Sequence, residues 1–281
     1  MNHSPELIVE LKRKTIKVRQ EIIRMTSIAQ SGHLGGSLSC VEVLAALFFH
    51  QMRHDPHNPS WEERDRFILS KGHAAPALYA TLALSGYFPV EELPTFRSVE
   101  SRLQGHPDST KTPGVEISTG SLGQGFSAAV GMALGFKISG RKNHVYTLLG
   151  DGELNEGEVW ETAMFVNHHQ IKGITAIIDR NYGQNDGATE EIMSLEPLTA
   201  KWMAFGWDVY EVNGHSIKEI LDVLDQSIQQ RKKQVVIIAR TVKGKGVSIV
   251  EGNHNYHAKT LPRELADKVI GELQERFDEF E

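Results

Sequence analysis

The sequence predicts an α/β fold in which helices cover both faces of a mainly parallel sheet. Five short apolar runs have the length and the β-branched content of strands, and helical stretches separate most of them. Strands that are apolar along their whole length are typical of a parallel sheet buried on both sides. The 281 residues contain no internal repeat and no convincing linker, so we expect one domain over residues 1–281.

The first third of the chain carries signals for two helices. Ser4 suits an N-cap, Pro5 suits the first helical turn, and apolar residues recur at helical spacing to about residue 29. The glycine-rich segment 31–37 is predicted to be a loop, because glycine and serine favour turns. An apolar run at 40–49 predicts the second helix.

Strands and helices alternate from residue 67 onward. Ser216 and Glu219 have the spacing of a capping box and predict a helix over 217–231, and a helical tail is expected over about 262–281. The predicted strands are 67–69, 145–149, 174–178, 208–212 and 235–239.

Composition and charge favour a cytoplasmic protein. A net charge of −6 gives no reason to expect nucleic acid or a membrane surface as a partner. The single cysteine, Cys40, excludes an internal disulfide and suits a reducing compartment. The charged N-terminus lacks the apolar stretch of a signal peptide, and no apolar run is long enough to span a bilayer.

Three polar segments directly follow predicted strands. They are Ser-Lys-Gly-His at 70–73, Gly-Asp-Gly at 150–152 and Asp-Arg-Asn-Tyr-Gly at 179–183. Ligands of open parallel sheets bind beyond the carboxyl ends of the strands, so we expect these segments to form one site.

Asp151, Asn181 and Gly183 offer a carboxylate, an amide and a backbone carbonyl oxygen. Hard oxygen ligands suit Mg²⁺ or Ca²⁺. Three protein ligands leave room in an octahedron for two phosphate oxygens and a water, which indicates a metal–diphosphate site. The glycines beside Asp151 would let backbone N–H groups approach the phosphates closely.

Loop histidines are the second sign of chemistry. His33, His73 and His106 each follow a glycine, and His257 lies in a polar stretch. An accessible imidazole can donate to hydroxyl groups or take up protons, so a cluster of them would suit a polyhydroxylated substrate. Each histidine taken alone is more often a surface histidine or a hydrogen-bonded structural one.

Five motifs together resemble those of transketolases in order and spacing, from about residue 5 to residue 260. Gly-Asp-Gly followed by Asn181 marks the wider thiamine-diphosphate superfamily, and the other motifs narrow the resemblance to transketolases. The motifs are Ser-Gly-His at 31–33, Arg-Asp-Arg-Phe-Ile-Leu-Ser-Lys-Gly-His at 64–73, Gly-His-Pro at 105–107, Ser-Thr-Gly-Ser-Leu-Gly-Gln-Gly at 118–125 and Gly-Asp-Gly-Glu-Leu-Asn-Glu-Gly at 150–157.

This resemblance implies a thiamine-diphosphate-binding fold of the diphosphate-binding type, with thiamine diphosphate and Mg²⁺ (or Ca²⁺) as cofactors. The residues implied to hold the cation are Asp151, Asn181 and Gly183. Those implied to contact the cofactor are His73, Gly120, Ser121, Leu122, Gly152, Glu153, Asn181 and His257. Those implied to act on the sugar or in catalysis are His33, His73, His106, His257 and, through a carboxylate network across a subunit interface, Glu156.

The resemblance also implies a partner. Complete transketolases continue into a pyrimidine-binding domain and a C-terminal domain, whereas this chain resembles the N-terminal subunit of split bacterial transketolases. We therefore expect a partner chain that carries those domains and an α2β2 heterotetramer. The implied activity is transfer of a two-carbon ketol group between sugar phosphates, as in the pentose phosphate pathway.

Several positions depart from the transketolase pattern. Leu34 replaces a proline, Asn185 replaces an isoleucine expected to touch the cofactor, and Tyr256 and Ala258 replace tryptophan and glycine around His257. These departures point to an unusual sugar. Two alternatives stay open: a condensation like that of deoxyxylulose-phosphate synthase, which Gly-His-Leu favours, and a non-catalytic cofactor-binding homologue.

Overall fold

The computed structural model describes residues 3–229 and 234–278. Within these residues it contains five strands and ten α-helices, and all five predicted strands are confirmed. The strands are β1 (Arg66–Leu69), β2 (Val145–Gly150), β3 (Ile174–Arg180), β4 (Asp208–Asn213) and β5 (Val235–Arg240). The helices are α1 (Pro5–Ala29), α2 (Leu34–Leu38), α3 (Val41–Ala46), α4 (Ala75–Leu84), α5 (Gln124–Ser139), α6 (Gly157–His168), α7 (Thr189–Ile192), α8 (Leu198–Ala204), α9 (Ile217–Gln229) and α10 (Arg263–Asp278).

The strands form one parallel sheet in the order β1-β2-β3-β5-β4. Parallel neighbours need a crossover connection, and the helices between the strands supply it. The carboxyl ends of β1, β2, β3 and β5 therefore lie side by side at one edge. The predicted fold class is confirmed.

The core lies on both faces of the sheet. Successive strand residues alternate between two apolar clusters: Leu148 and Ile177 pack on one face, and Leu149 and Ile178 pack on the other. The first cluster includes residues of α1, α3, α4, α9 and α10, and the second includes residues of α5, α6 and α8. Burial on both faces explains why the strands are apolar throughout.

The helix predictions hold, with local differences. The hydroxyl of Ser4 accepts a hydrogen bond from the backbone N–H of Leu7 at 3.2 Å, as expected of an N-cap. The segment predicted as a loop at 31–37 contains α2, whose residues are all buried, and the helix predicted at 40–49 is α3 followed by a π-helical turn at Leu47–Gln51. The predicted helix 217–231 is α9, and its last two residues lie outside the described ones.

The predicted C-terminal helical tail is α10, which packs on the body of the chain, and its last three residues, 279–281, lie outside the described ones. Val269 and Leu273 of α10 are buried in the same cluster as α1. Gln20 of α1 donates to the Ile270 carbonyl oxygen at 3.3 Å and to Gln274 at 3.1 Å. No helix in the two described stretches is long and apolar enough to cross a membrane.

An apolar face on α5 and α6 is exposed. We call it the α5–α6 face, and it comprises Gly131, Gly135, Ile138, Met164 and Phe165. Ile138 is 79% exposed and Met164 is 52% exposed, and a Cβ placed on Gly131 or Gly135 would meet no atom within 4 Å. Large exposed apolar patches mark interaction sites, so this face is a candidate for one.

Two glycines of α5 should respond oppositely to alanine. A Cβ on Gly125 would lie 2.6 Å from the Ser70 Cα atom, so Gly125→Ala should lower the free energy of unfolding by about 1–3 kcal/mol. Gly131 faces open space, and Gly131→Ala should raise that free energy by about 0.5–1 kcal/mol. Urea denaturation of both variants measures the difference, and equal effects would contradict the packing described here.

Candidate active site

The polar segments predicted to converge do meet at the carboxyl edge of the sheet. They line a cavity of about 440 Å³ together with residues from α2, the segment before α5 and the segment after β5. The cavity is lined by His33, Gly36, Lys71, His73, Gly120, Leu122, Gly150, Asp151, Gly152, Glu153, Asn155, Glu156, Asn181, Gly183, Gln184, Asn185, Asp186, Lys243 and His257.

Close backbone approach brings two of these segments together. A Cβ on Gly72 would lie 2.7 Å from the backbone nitrogen of Gly120, so only glycine lets the loop after β1 touch the segment before α5. Gly120 itself has φ +151°, a conformation that side chains disfavour. Leu122 is thereby held in the cavity wall beside Gly120.

The three predicted cation ligands are neighbours. One carboxylate oxygen of Asp151 accepts from the Gly152 N–H at 2.8 Å, and the other accepts from the Tyr182 N–H at 2.6 Å. Asn181 Oδ1 accepts from the Gly183 N–H at 3.1 Å. The loops after β2 and β3 are thus tied to each other through the oxygens that the sequence analysis singled out.

Asp179 orients this group from below the cavity. It is fully buried, and its Oδ2 accepts from Asn181 Nδ2 at 2.8 Å, from Ser39 at 2.6 Å and from Lys71 Nζ at 2.6 Å. Thr241 donates to Oδ1. Because Asn181 Nδ2 donates to Asp179, Asn181 Oδ1 points toward Gly183.

Lys243 is a buried cation at the site that the sequence analysis missed. Its Nζ donates to the carbonyl oxygens of Gly183 at 3.0 Å and Gln184 at 3.3 Å, and it lies 2.8 Å from His257 Nδ1. Burial is the main cause that lowers the pKa of Lys243, to about 8. The sequence signal was weak: Thr-Val-Lys-Gly-Lys after β5 is typical of an ordinary surface loop.

The four loop histidines form one group, which we call the histidine cluster: His33, His73, His106 and His257. The His33 ring centroid lies 5.3 Å from those of His73 and His257, and 6.3 Å from that of His106. His106 is exposed and lies outside the cavity lining. Burial lowers the pKa of each of the four, so the rings are neutral near pH 7.

Two predicted carboxylates take different positions. Glu153 is buried, and both its oxygens accept hydrogen bonds, from Ser70, from the Gly123 N–H and from the Gly150 N–H. Burial raises the pKa of Glu153. Its carboxylate therefore holds three loops together, whereas Glu156 is exposed at the cavity.

The sequence matches the family described as "Transketolase, thiamine diphosphate binding domain" over residues 12–277. The chain belongs to this family. The sequence motifs indicated this same family, and the match confirms that resemblance.

Two relatives of similar length are transketolase subunits. The chain is 46% identical over 266 residues to the 6-deoxy-6-sulfo-D-fructose transketolase subunit of Clostridium sp. (strain MSTE9), covering 95% of this chain and 97% of that protein. It is 41% identical over 271 residues to an apulose-4-phosphate transketolase subunit of Phocaeicola vulgatus, covering 96% of each. These relatives place the chain among the transketolases, which are transferases.

Solved transketolases share the fold but are longer. The transketolase of Campylobacter jejuni matches with a TM-score of 0.88 and 32% identity over 100% of this chain and 46% of that one. The chain thus spans a little under half the length of the solved transketolases it matches.

The departures from the transketolase pattern divide into two kinds. Leu34 is fully buried at the start of α2, and it does not line the cavity, so it concerns packing. Asn185 lines the cavity and is exposed, and its amide donates to Asp186 at 2.9 Å.

Ser121, predicted to contact the cofactor, is exposed between two lining residues but does not line the cavity itself.

The histidine cluster should make the ligand-free chain sensitive to acid. Burial and neighbouring cations lower the pKa of His33 to about 4 and that of His257 to about 3. The unfolded chain binds these protons near pH 6.5, so the free energy of unfolding should fall as the pH drops from 6.5 toward 3–4. Urea denaturation over this range should show a shallower fall in His33→Gln. His57→Gln, at an exposed histidine, should leave the dependence of the free energy of unfolding on pH unchanged. An unchanged dependence in His33→Gln would refute the lowered pKa of His33.

Proposed function

We propose that this chain is the N-terminal subunit of a two-subunit transketolase that requires thiamine diphosphate and a divalent cation. It transfers a two-carbon ketol group from a ketose phosphate to an aldose phosphate when a partner supplies the pyrimidine-binding domain. The observation that carries the proposal is the meeting of the Asp151, Asn181 and Gly183 oxygens with three members of the histidine cluster, His33, His73 and His257, in one cavity.

The residues present fit a metal–diphosphate group. The donor set of one carboxylate, one amide and one backbone carbonyl is made of hard oxygens, which suit Mg²⁺ or Ca²⁺. The Gly183 carbonyl oxygen already accepts from Lys243 Nζ, so a cation would take its second lone pair. Within the described residues no cluster of three or more His, Cys, Asp or Glu side chains is arranged to hold a metal, so these mixed oxygens are the candidate ligands. Lys243 and Gly152 stand beside them and would meet the negative charge of the diphosphate.

Two buried polar atoms at the cavity support a bound ligand. His33 Nδ1 and Gln184 Oε1 have no hydrogen-bond partner among the described residues, although both residues line the cavity. Burying a polar atom without a partner is unfavourable, and native structures contain few such atoms. A ligand in the cavity would supply the missing partners.

The chain's own residues bind, orient and exchange protons in this proposal. Thiamine diphosphate, when bound, supplies the nucleophilic carbon and the electron sink for cleavage of the sugar C–C bond. Neutral imidazoles at His33 and His257 can donate a hydrogen bond to a sugar oxygen or accept a proton from a sugar hydroxyl. Leu122 gives the cavity an apolar wall, and Lys243 fixes His257 through Nδ1.

We propose a partner because α5 and α6, the helices that carry the α5–α6 face, begin at the cavity. Leu122 and Glu156 line the cavity, and α5 and α6 begin two residues and one residue after them. A subunit that covers the cavity and extends along α5 and α6 would also bury the α5–α6 face. We propose that this subunit carries the pyrimidine-binding domain and that the complex is an α2β2 heterotetramer.

The relatives favour ketol transfer over the alternative of a deoxyxylulose-phosphate-synthase-like condensation. The two relatives of full length named above are transketolase subunits, one for a sulfosugar and one for a sugar phosphate. Because both act on specialised sugars by name, we propose that this chain also serves a specialised acidic sugar, with Asn185 at the cavity as the departure to examine.

The deciding experiment measures ketol transfer from a ketose phosphate to an aldose phosphate with thiamine diphosphate and Mg²⁺. We expect turnover when the chain is mixed with its pyrimidine-binding partner and none with the chain alone. Turnover by the chain alone would refute the partner requirement. Consumption of pyruvate in place of the ketose would favour the condensation, and cofactor binding without turnover of any sugar would favour the non-catalytic alternative.

Removing the predicted cation ligand should abolish cofactor binding. Asp151→Asn should weaken the binding of thiamine diphosphate with Mg²⁺ by more than the roughly 10–100-fold that loss of an outer-shell partner costs. Asp186→Asn makes the same charge change at the exposed rim of the cavity and should leave the affinity within about twofold. Calorimetric titration compares them, and equal affinities in the two variants would contradict the proposed ligand set.

A charge on the α5–α6 face should block assembly without harming the fold. Gly131→Glu places a carboxylate where nothing lies within 4 Å, so the variant should fold at least as stably as the wild type. Burying that charge against a partner would cost several kcal/mol, so the complex with the pyrimidine-binding subunit should be lost. Light scattering of the mixture tests this, with Gly131→Ala as the matched control. A heterotetramer formed by Gly131→Glu would exclude this face from the interface.

A further inference from the structure

A series of polar contacts, buried at Arg19 and Glu42 and partly exposed at His215, runs from α1 to the loop that carries Lys243. Arg19 Nη2 donates to both oxygens of Glu42, at 2.7 and 3.0 Å, and His215 Nδ1 lies 3.0 Å from Glu42 Oε2. On its other side His215 Nε2 lies 2.8 Å from the backbone nitrogen of Val242. Arg19 and Glu42 are 4% and 7% exposed, so the pair is shielded from solvent.

The direction of each hydrogen bond in this series follows from which nitrogen atoms carry a proton. A backbone N–H can only donate, so Nε2 of His215 is the acceptor for Val242 and carries no proton. Nδ1 then bears the proton and donates to Glu42. Burial opposes ionisation of Glu42, but Arg19 and His215 outweigh it and lower the pKa of the carboxyl, so the carboxylate stays charged and accepts from both.

The same series of polar contacts holds the loop on both sides of Lys243. Besides Val242, which precedes Lys243, Arg19 Nε donates to the carbonyl oxygen of Lys245 at 2.9 Å. Arg19 also packs close to the backbone here, since a Cβ on Gly246 would lie 2.8 Å from its Cδ. The loop is thus bonded one residue before and two residues after Lys243.

Gly214 allows His215 to reach this position. A Cβ at 214 would lie 2.4 Å from Thr241 Cγ2, and the Gly214 N–H donates to the Arg240 carbonyl oxygen at 2.8 Å. The loop between β4 and α9 therefore lies directly on the backbone that leaves β5, which a side chain at 214 would prevent.

We propose that Arg19, Glu42 and His215 are positioning residues that hold Lys243 against Gly183 and His257. The inference rests on the proposed function, because it assigns these residues to the binding of the metal–diphosphate group. None of the three lines the cavity, so they act on it through the backbone of the Lys243 loop. Residues that orient the ligands of a metal site often change its affinity about 10–100-fold when lost.

His215 is the member of this series to change, because removing Arg19 or Glu42 would leave a buried charge unpaired and threaten folding. His215→Leu removes the acceptor for Val242, and His215→Gln keeps an amide oxygen and an amide N–H that can replace the two ring nitrogens. Asp65→Asn is the matched control: Asp65 is buried and accepts from the backbone N–H groups of Arg53 and His144 at the opposite edge of the sheet.

Two measurements on the full chain, mixed with its pyrimidine-binding partner, test the proposal. Hydrogen exchange of the peptide spanning 241–246 should be faster in His215→Leu than in the wild type. Calorimetry should show that the affinity for thiamine diphosphate with Mg²⁺ is lower by about tenfold or more. His215→Gln should stay within about threefold of the wild type in both measurements. Asp65→Asn should lower the melting temperature while leaving both measurements unchanged.

Each failure has its own meaning. Unchanged exchange in His215→Leu would overturn the proposal, because the loop would not depend on His215. Faster exchange with unchanged affinity would also overturn it, since the held loop would not serve the ligand. An equal loss of affinity in Asp65→Asn would show a general effect of stability and overturn the positioning role. A wild-type chain that binds no thiamine diphosphate even when mixed with its pyrimidine-binding partner would instead refute the proposed function, and the exchange measurement would still decide whether His215 holds the loop.

Discussion

The buried ion pair between Lys71 and Asp179 is the contact on which the rest of the site depends. The two side chains are 1% and 0% exposed, and their charged atoms lie 2.6 Å apart. Burial opposes both charges, yet each partner shifts the pKa of the other so that both stay ionised. Removing one member of such a pair typically costs about 3–5 kcal/mol, because the remaining charge is left buried and unpaired.

This ion pair connects parts of the chain that are distant in sequence. Lys71 follows β1 and also donates to the Gly36 carbonyl oxygen at 2.7 Å, while Asp179 near the end of β3 accepts from Ser39, Asn181 and Thr241. The loops after β1, β3 and β5 and the short helix α2 therefore meet at one carboxylate. A parallel sheet supplies the common edge, but the ion pair decides how the loops are arranged there.

The charge of the site suits a phosphorylated cofactor. Two buried cations, Lys71 and Lys243, lie next to neutral imidazoles, and the oxygens of Asp151 and Asn181 face the same cavity. In the proposed function, a metal would satisfy the oxygens and Lys243 would meet the phosphates, whereas the charge of Lys71 is taken up by Asp179. The proposed positioning residues extend this arrangement to α1. They lie outside the cavity and bond to the backbone of the Lys243 loop through Val242 and Lys245.

The sequence by itself determined the strands, the long first helix and the identity of the site loops. Apolar runs with β-branched residues predict strands because both faces of the sheet are buried, and Asp151 and Asn181 follow those strands directly. The tertiary structure alone decided that Lys243 is buried at the site and that the Glu153 carboxylate is occupied by three hydrogen bonds. It also decided that 34–38 is helical. These features depend on neighbours that are far away in sequence, set by the order β3-β5 and by burial, and no local pattern of residues encodes such neighbours.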